Sequence, residues 1–436
     1  MIRNYRWRRL FAPAAGLRRA ALVFILGVVC ASVGAALSFH RIIEPNLERL
    51  KRFTERALAY LVAADQLDRA TWFMGGALLF LGIYIMWKGW LAGWERVLET
   101  LYPGNKTGTF DVYVRRQKLA QGPRIVALGG GTGLSTILRG LKQHSSNITA
   151  IVTVSDEGGS SGRLVHEKGM IPPGDIRNCL VALADAEKAM TDLFQYRFQK
   201  DSGSLSGHSM GNLLLAALFD QEHGDFDKAI EAASDVLNIR GRVVPSTLER
   251  VRLRALLDNG MEVCGETAIV QTGRPIREIF LEPEGVQPHK EAILAIKNAE
   301  LICIGPGSVY TSVVPNLLVP GVVEALQNSK AIKIYICNVM TQPGESDTFS
   351  ASEHVTAIQM HARSKAFDYV LVNTGVPSQA AIEKYQLVGQ HFVEPDVDRV
   401  RAMGFRVITA DLLNESDYVR HDPMRVAARL MDLLNR

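Results

Sequence analysis

The stretch RIVALGGGTGLSTILRGLK, residues 124–142, sets a short apolar run ahead of four glycines in five positions, then turns amphipathic. RIVAL predicts a strand and STILRGLKQ a helix. Between them Gly129, Gly130, Gly131 and Gly133 carry no Cβ, so the backbone can reach positive φ and lie close to a ligand. The start of the following helix offers unpaired N–H groups and about half a positive charge to an anion. Thr132 and Ser135 add hydroxyls. The dinucleotide fingerprint Gly-x-Gly-x-x-Gly fails at Leu134, where its last glycine belongs. The loop therefore predicts a phosphate cradle without implying NAD. The alternative is a tight turn demanded by packing alone.

Working outward, the pattern repeats. ITAIVTVS (148–155) is a continuous apolar run of the kind buried on both faces of a parallel sheet. LICIG (301–305), IKIYICNV (332–339), YVLVN (369–373) and RVITA (406–410) read as further strands. DIRNCLVALAD (175–185), SMGNLLLAALF (209–219), SEHVTAIQMHA (352–362) and MRVAARLMDLLN (424–435) read as helices. This alternation predicts an α/β fold with a Rossmann-like, doubly wound, mostly parallel sheet over 123–436. Residues 220–290 break the rhythm. GETAIVQTG and EIFLEPEG there read as short strands of an inserted antiparallel patch.

Ligands of such sheets bind beyond the carboxyl ends of the strands, and the polar clusters fall there. In SDEGGSSGRL (155–164), Asp156 follows a strand, where an acid holds ribose hydroxyls or Mg²⁺ beside phosphate. Ser160 and Ser161 are donors in a glycine-rich loop, or else helix caps. Asp175 after Pro-Pro-Gly suits an N-cap or a ligand contact. GHSMGN places His208 and Asn212 at another helix start, with His208 a general acid/base, a phosphate donor or a structural histidine. Gly305 and Ser308 in GPGSVYTS form a second candidate anion cradle.

The first ninety residues read differently. Residues 20–39 contain no charge and are long enough for a bilayer core of about 30 Å. Residues 71–87 are shorter but sufficient, with Trp72 and Trp87 suited to the interfaces. A two-span membrane hairpin over 1–90 is expected, then a juxtamembrane linker over 91–122. Six arginines precede the first span, and Lys88, Arg96, Lys106, Arg115, Arg116 and Lys118 follow the second, so both ends are expected inside. The rivals are a cleaved leader for the first run and a buried globular helix for the second.

The chain has 436 residues, 47% of them hydrophobic and 22% charged, enough for large folded units. Its net charge of +4 is concentrated at the N-terminus, which argues against a general nucleic-acid surface. Five scattered cysteines without Cys-x-x-Cys argue against structural zinc or a disulfide framework. Cys303 and Cys337 lie in strand-like runs and read as buried thiols.

Taken in order, GGGTGLSTILRGLK, TVSDEGGSSGRL, PPGDIRNCLVAL, GHSMGNLLLAAL, GPGSVYTSVVPNLLVPGV, CNVMTQPGESD and VRHDP resemble the CofD-like superfamily. The likeness is to its YvcK branch, the gluconeogenesis factors, and spans about residues 123–433. The resemblance implies a nucleotide-binding domain. One branch transfers a phospholactyl group from a guanylylated donor with Mg²⁺. The YvcK branch resembles a non-catalytic regulator that binds UDP-N-acetylglucosamine-like sugars and links carbon supply to peptidoglycan precursor synthesis and cell shape. The resemblance implies Tyr385 and Arg420 as sugar-nucleotide residues; chemically, Tyr can stack on a base and Arg can neutralise pyrophosphate. It implies no obligatory cofactor beyond Mg²⁺ with a bound nucleotide, and a cell-wall-precursor enzyme or regulator as partner. A homo-oligomer stays open. Two departures stand out. Glu157 follows Asp156 where an Asp-Asp pair is common, and Pro423 occupies a position where relatives can carry a phosphorylatable Thr.

Overall fold

The computed structural model describes residues 109–436 except 186–187, 200, 416–418 and 436, and, before them, 45–46, 48–50, 52–53, 56, 77 and 80–90. The chain divides into two units, Met1–Lys118 and Leu119–Arg436.

In the first unit, residues 80–90 are helical, and Phe80, Leu81, Ile83, Tyr84, Ile85, Met86 and Trp87 are all exposed. Among the described residues no single helix is long and apolar enough to cross a membrane. The expected span at 20–39 lies outside the described residues, as do residues 71–76 and 78–79 of the one at 71–87.

The second unit is built on a seven-stranded sheet of order β10-β9-β8-β7-β1-β2-β3, with every pairing parallel. The strands are β1 (Ile125–Gly129), β2 (Ile148–Val152), β3 (Arg242–Pro245), β7 (Leu301–Ile304), β8 (Ile332–Ile336), β9 (Tyr369–Asn373) and β10 (Arg406–Ala410). β1 and β7 are buried along their whole length, as their unbroken apolar runs require when helices cover both faces. From β1 the chain winds one way through β2 and β3, and then resumes on the other side at β7. The order therefore reverses between β1 and β7, where doubly wound sheets open a crevice.

The sheet's covering and loop helices are α1 (Gly131–Leu141), α2 (Gly159–Lys168), α3 (Gly174–Leu183) and α4 (Met210–Gln221), followed later by α6 (Ala351–Ala362), α7 (Gln379–Gln386) and α8 (Pro423–Leu434). Capping sets their ends. Ser209 opens α4, Ser350 and Glu353 form a capping box on α6, and Asp422 accepts the Met424 and Arg425 amides ahead of Pro423 in α8. α8 lies tight on α1: a Cβ on Gly140 would fall 1.9 Å from the Pro423 carbonyl oxygen. Cys303 and Cys337 are buried in this core with free thiols.

The antiparallel patch is narrower than residues 220–290. Phe226–Leu237 is a helix and β3 belongs to the main sheet. The antiparallel sheet holds only β4 (Arg252–Leu257), β5 (Glu262–Cys264) and β6 (Ile276–Glu282), in the order β5-β4-β6. GETAIVQTG is not a strand. It contains α5 (Glu266–Gln271), a short helix that buries Ile269 and starts at Gly265, whose φ of +95° turns the chain out of β5. A hairpin of β11 (Leu413–Glu415) and β12 (Val419–His421) stands apart from both sheets.

Candidate functional site

A cavity of about 460 Å³ opens beyond the carboxyl ends of β1, β7 and β8. Thr132, Gly133 and Thr136 of α1 form one wall, Pro306 and Gly307 after β7 a second, and Asn338–Gln342 after β8 a third. α7 and β12 contribute Lys384, Tyr385, Val419, Arg420 and His421, and Val388 and Gln390 just beyond α7 complete the lining. Among the described residues two cations and no carboxylate line this cavity, so that lining suits an anion.

α1 delivers its N-terminus without a side-chain cap. In an α-helix the first-turn amides have no intrahelical acceptor. That of Gly131 faces the Asp175 carboxylate and favours its charge, while Thr132 and Gly133 stand on the cavity wall. The glycines answer different demands. Gly131 has φ +61°. A Cβ on Gly130 would meet Thr153 at 2.5 Å and Asp175 at 2.6 Å, and one on Gly133 would fall 2.3 Å from the Pro306 carbonyl oxygen. Gly129 closes β1, where its carbonyl accepts from Thr153 N–H at 2.9 Å and Asn316 at 3.1 Å. Close packing of the turn against the β7 loop thus accounts for much of its bareness.

Asn338 fixes the opposite wall by a reciprocal pair. Its Oδ1 accepts from Gly307 N–H at 3.1 Å and its Nδ2 donates to the Gly307 carbonyl at 2.9 Å. Gly305, at φ +73°, makes the turn before it. Tyr385 Oη accepts from Val419 N–H at 2.8 Å, tying α7 to the hairpin. Around Tyr385 lies a small apolar cluster of Val339, Met340, Leu413 and Val419.

The other predicted residues lie in a second neighbourhood, reached across Gly130 and Gly131. Asp156, in the loop after β2, accepts from Gly158 N–H at 2.8 Å. Asp175 is in the first turn of α3 rather than at its N-cap, which is Pro173. Burial, reinforced by the Asp156 charge, pushes the Asp175 carboxyl up to about 7. Burial also pushes Glu266 of α5 up to about 9, with Asp156, Asp175 and Glu345 adding repulsion. Glu345 is raised by burial against the opposing hydrogen bonds of Ser308 and Thr311. Among the described residues no three His, Cys, Asp or Glu side chains are grouped to hold a metal ion.

Ser160, Asn212 and His208 form one buried chain. Asn212 Nδ2 donates to Ser160 Oγ at 3.0 Å, and Ser160 Oγ meets His208 Nδ1 at 2.9 Å. Arg177 joins it, donating to Ser209 and, at 3.0 Å, to Asn212 Oδ1. Burial lowers the His208 pKa, so the ring is neutral near pH 7. Ser161 is buried beside Gly174, where a Cβ would lie 2.5 Å from its Oγ. Ser308 caps the turn after β7 and donates to Glu345.

The structure therefore gathers Thr132, Gly133, Tyr385 and Arg420 around one cavity. It sets Asp156, Ser160, Ser161, Asn212 and Ser308 in internal contacts beside it. The cavity wall also holds Gln342, Lys384 and His421, none singled out from sequence. His421 was legible as the neighbour of Arg420, but no spacing rule marked it. Glu266 and Glu345 sit in stretches whose local patterns read as strand and loop.

Residues 125–413 match the family described as 2-phospho-L-lactate transferase CofD. The gluconeogenesis factor of Bacillus subtilis is 47% identical over 317 residues, 72% of this chain and 99% of that protein. A relative from Nostoc sp. is 42% identical over 430 residues, 98% of this chain and 92% of its own. A crystal structure of a UPF0052 family member from Bacillus halodurans superposes with a TM-score of 0.68 at 44% identity, covering 71% of this chain and 99% of that one.

Proposed function

The chain belongs to the CofD family, and on that premise we propose that it is a sensor of a UDP-sugar, of the UDP-N-acetylglucosamine kind, that acts through a protein partner. The cavity is the ligand site. Thr132 and Gly133 at the α1 N-terminus, with Lys384 and Arg420, receive the pyrophosphate. Tyr385 meets the base or sugar. The observation that carries this reading is the meeting of Tyr385 and Arg420 with the glycine turn in one cavity, although they stand about 250 and 290 residues beyond that turn in sequence. The partner is a cell-wall-precursor enzyme or regulator, through which carbon supply reaches precursor synthesis and cell shape. The gluconeogenesis-factor names of the relatives support the metabolic half of this reading.

The protein is further read as a two-pass membrane protein, with spans at 20–39 and 71–87 and its second unit in the cytoplasm. The unbroken exposed apolar surface of residues 80–87 supports it, since an apolar helix face of that kind is at home in lipid. The Nostoc relative shares this long form of the chain.

Titration calorimetry of the detergent-solubilised protein tests the ligand. Binding of UDP-N-acetylglucosamine that is lost in Arg420→Ala is expected. Absence of heat with every UDP-sugar would sink the proposal.

The acid neighbourhood favours a second reading, an Mg²⁺-dependent transferase of the 2-phospho-L-lactate type. Asp156 and Asp175 are close enough in charge to raise Asp175, and Mg²⁺ is commonly held by one or two carboxylates plus phosphate oxygens. These two would hold it jointly with the ligand, where the ion would neutralise phosphate charge. Mg²⁺-dependent turnover of a guanylylated phospholactate would establish this reading over the first.

A further inference from the structure

His421, the last residue of β12, lies on the cavity wall and is only 6% exposed. Its Nε2 is 3.0 Å from the carbonyl oxygen of Cys337. A carbonyl can only accept, so Nε2 carries the ring proton and Nδ1 presents a bare lone pair. Burial holds the His421 pKa down at about 4, so this neutral form persists through the physiological range. Nδ1 is buried and has no hydrogen-bond partner. Oε1 of Gln342, on the same wall, is in the same condition.

Buried polar atoms are nearly always partnered, and leaving one unmet costs about 1–3 kcal/mol. Two orphan acceptors on residues lining a single cavity are not explained by the packing around them. They also cannot serve an oxyanion, because neither atom has a proton to give. Anion recognition falls to the cations and the helix N-terminus. The acceptors are complementary to a different part of a ligand, one that donates.

We infer that His421 Nδ1, seconded by Gln342 Oε1, reads an uncharged hydrogen-bond donor of the bound ligand: a sugar hydroxyl or acetamido N–H, or the imide N–H of a uracil. This inference rests on the nucleotide-sugar reading of the cavity and adds to it the residues that distinguish one uncharged moiety from another. Both acceptors are shut from water in this form, so the donor enters as the part of the lining that α7 supplies shifts. That part is lightly held. α7 has no buried residue, Leu387 beyond it is 87% exposed, and Gly389 at φ +75° ends the segment.

Two isosteres separate a ligand role from a structural one. His421→Gln keeps an amide N–H in reach of the Cys337 carbonyl but has no acceptor at the δ position. His421→Asn keeps an acceptor near Nδ1 and gives up the Cys337 bond. Full-length proteins would be titrated with UDP-N-acetylglucosamine and with UDP, and melted in parallel. His421→Gln is expected to melt within about 3 °C of wild type and to bind UDP-N-acetylglucosamine roughly tenfold more weakly. His421→Asn is expected to melt lower and bind better than the Gln variant. Unchanged UDP affinity in His421→Gln would place the donor on the sugar, and a parallel loss would place it on the base. Should His421→Gln misfold, Gln342→Met gives the same readout, with a loss of a few fold expected. Wild-type affinities in His421→Gln, or in Gln342→Met where that variant stands in, overturn the assignment and leave the cavity's reading intact. A wild-type protein that binds neither ligand overturns the parent reading and the assignment with it.

Discussion

Asp175 is held where its charge is unwelcome, buried and facing Asp156, with the nearby Gly131 amide only partly offsetting both. Its folded pKa of about 7 lies above the ordinary aspartate value of 3.8. The folded state therefore binds the proton more tightly than the unfolded state between those values. Its contribution to stability is complete below about pH 4 and is lost as pH rises through about 7. Asp175→Asn keeps an oxygen for the Gly131 N–H and removes the charge. Urea unfolding at pH 8 should show the variant more stable than wild type by roughly 1–3 kcal/mol, with the gap closing at pH 5. A gap that is equal at both pH values would show that Asp175 is not titrating in this window. Gly133 gives the complementary case. Its Cβ position is occupied by the Pro306 carbonyl, so Gly133→Ala should destabilise by roughly 1–3 kcal/mol in thermal melts and lose UDP-sugar heat as the cavity wall shifts. Retained stability and binding would show that the turn yields freely. The sequence marked this glycine for the right place in the fold. What it could not show is that a carbonyl 173 residues away in sequence, rather than a phosphate alone, demands the missing side chain.

Between elements, the polar chain from Arg177 through Asn212 and Ser160 to His208 ties α3, α4 and α2 together behind the acid neighbourhood. Each member is buried, so a break leaves partners unmet rather than returned to water. Asn212→Ala takes one of two partners from Ser160 and one from the Arg177 nitrogen that also donates to Ser209, and a loss of roughly 1–3 kcal/mol in urea unfolding is expected. A near-neutral result would mean that water replaces the amide. The parallel strands were legible because burial on both faces writes a continuous apolar run, as in LICI and IVALG. α5 was not, because Ala-Ile-Val between glycines carries strand-like residues in a helix too short to show a period. The same limit governs hydroxyls. Ser160 and Ser308 have the look of ligand donors in sequence, and only folding shows that His208, Asn212 and Glu345 engage them.

At the scale of the whole chain, the two units pose different physical problems. Leu119–Arg436 has its own core and sheet, and a relative from Bacillus subtilis consists almost wholly of the matching part. A fragment 119–436 should therefore fold alone and, if the proposed ligand is right, titrate with UDP-N-acetylglucosamine at the full chain's affinity in calorimetry. What Met1–Lys118 adds is the apolar helix at 80–87, with no apolar partner among the described residues to cover it. Water disfavours such a surface in proportion to its area, at about 25 cal/mol per Å², and a bilayer removes that cost for a run long enough to cross about 30 Å. Expressed in cells, the full chain should stay with membranes through an alkaline carbonate wash while the fragment stays in the supernatant. The basic residues flanking both runs favour two inside ends. A single cysteine at residue 60, as Tyr60→Cys in a chain with its native cysteines replaced by Ser or Ala, should then react with an impermeant maleimide in intact cells. A cysteine at exposed Ser378 should react only after lysis. Release of the full chain by carbonate, or labelling of residue 378 before lysis, would remove the membrane hairpin and with it the cytoplasmic placement of the ligand site.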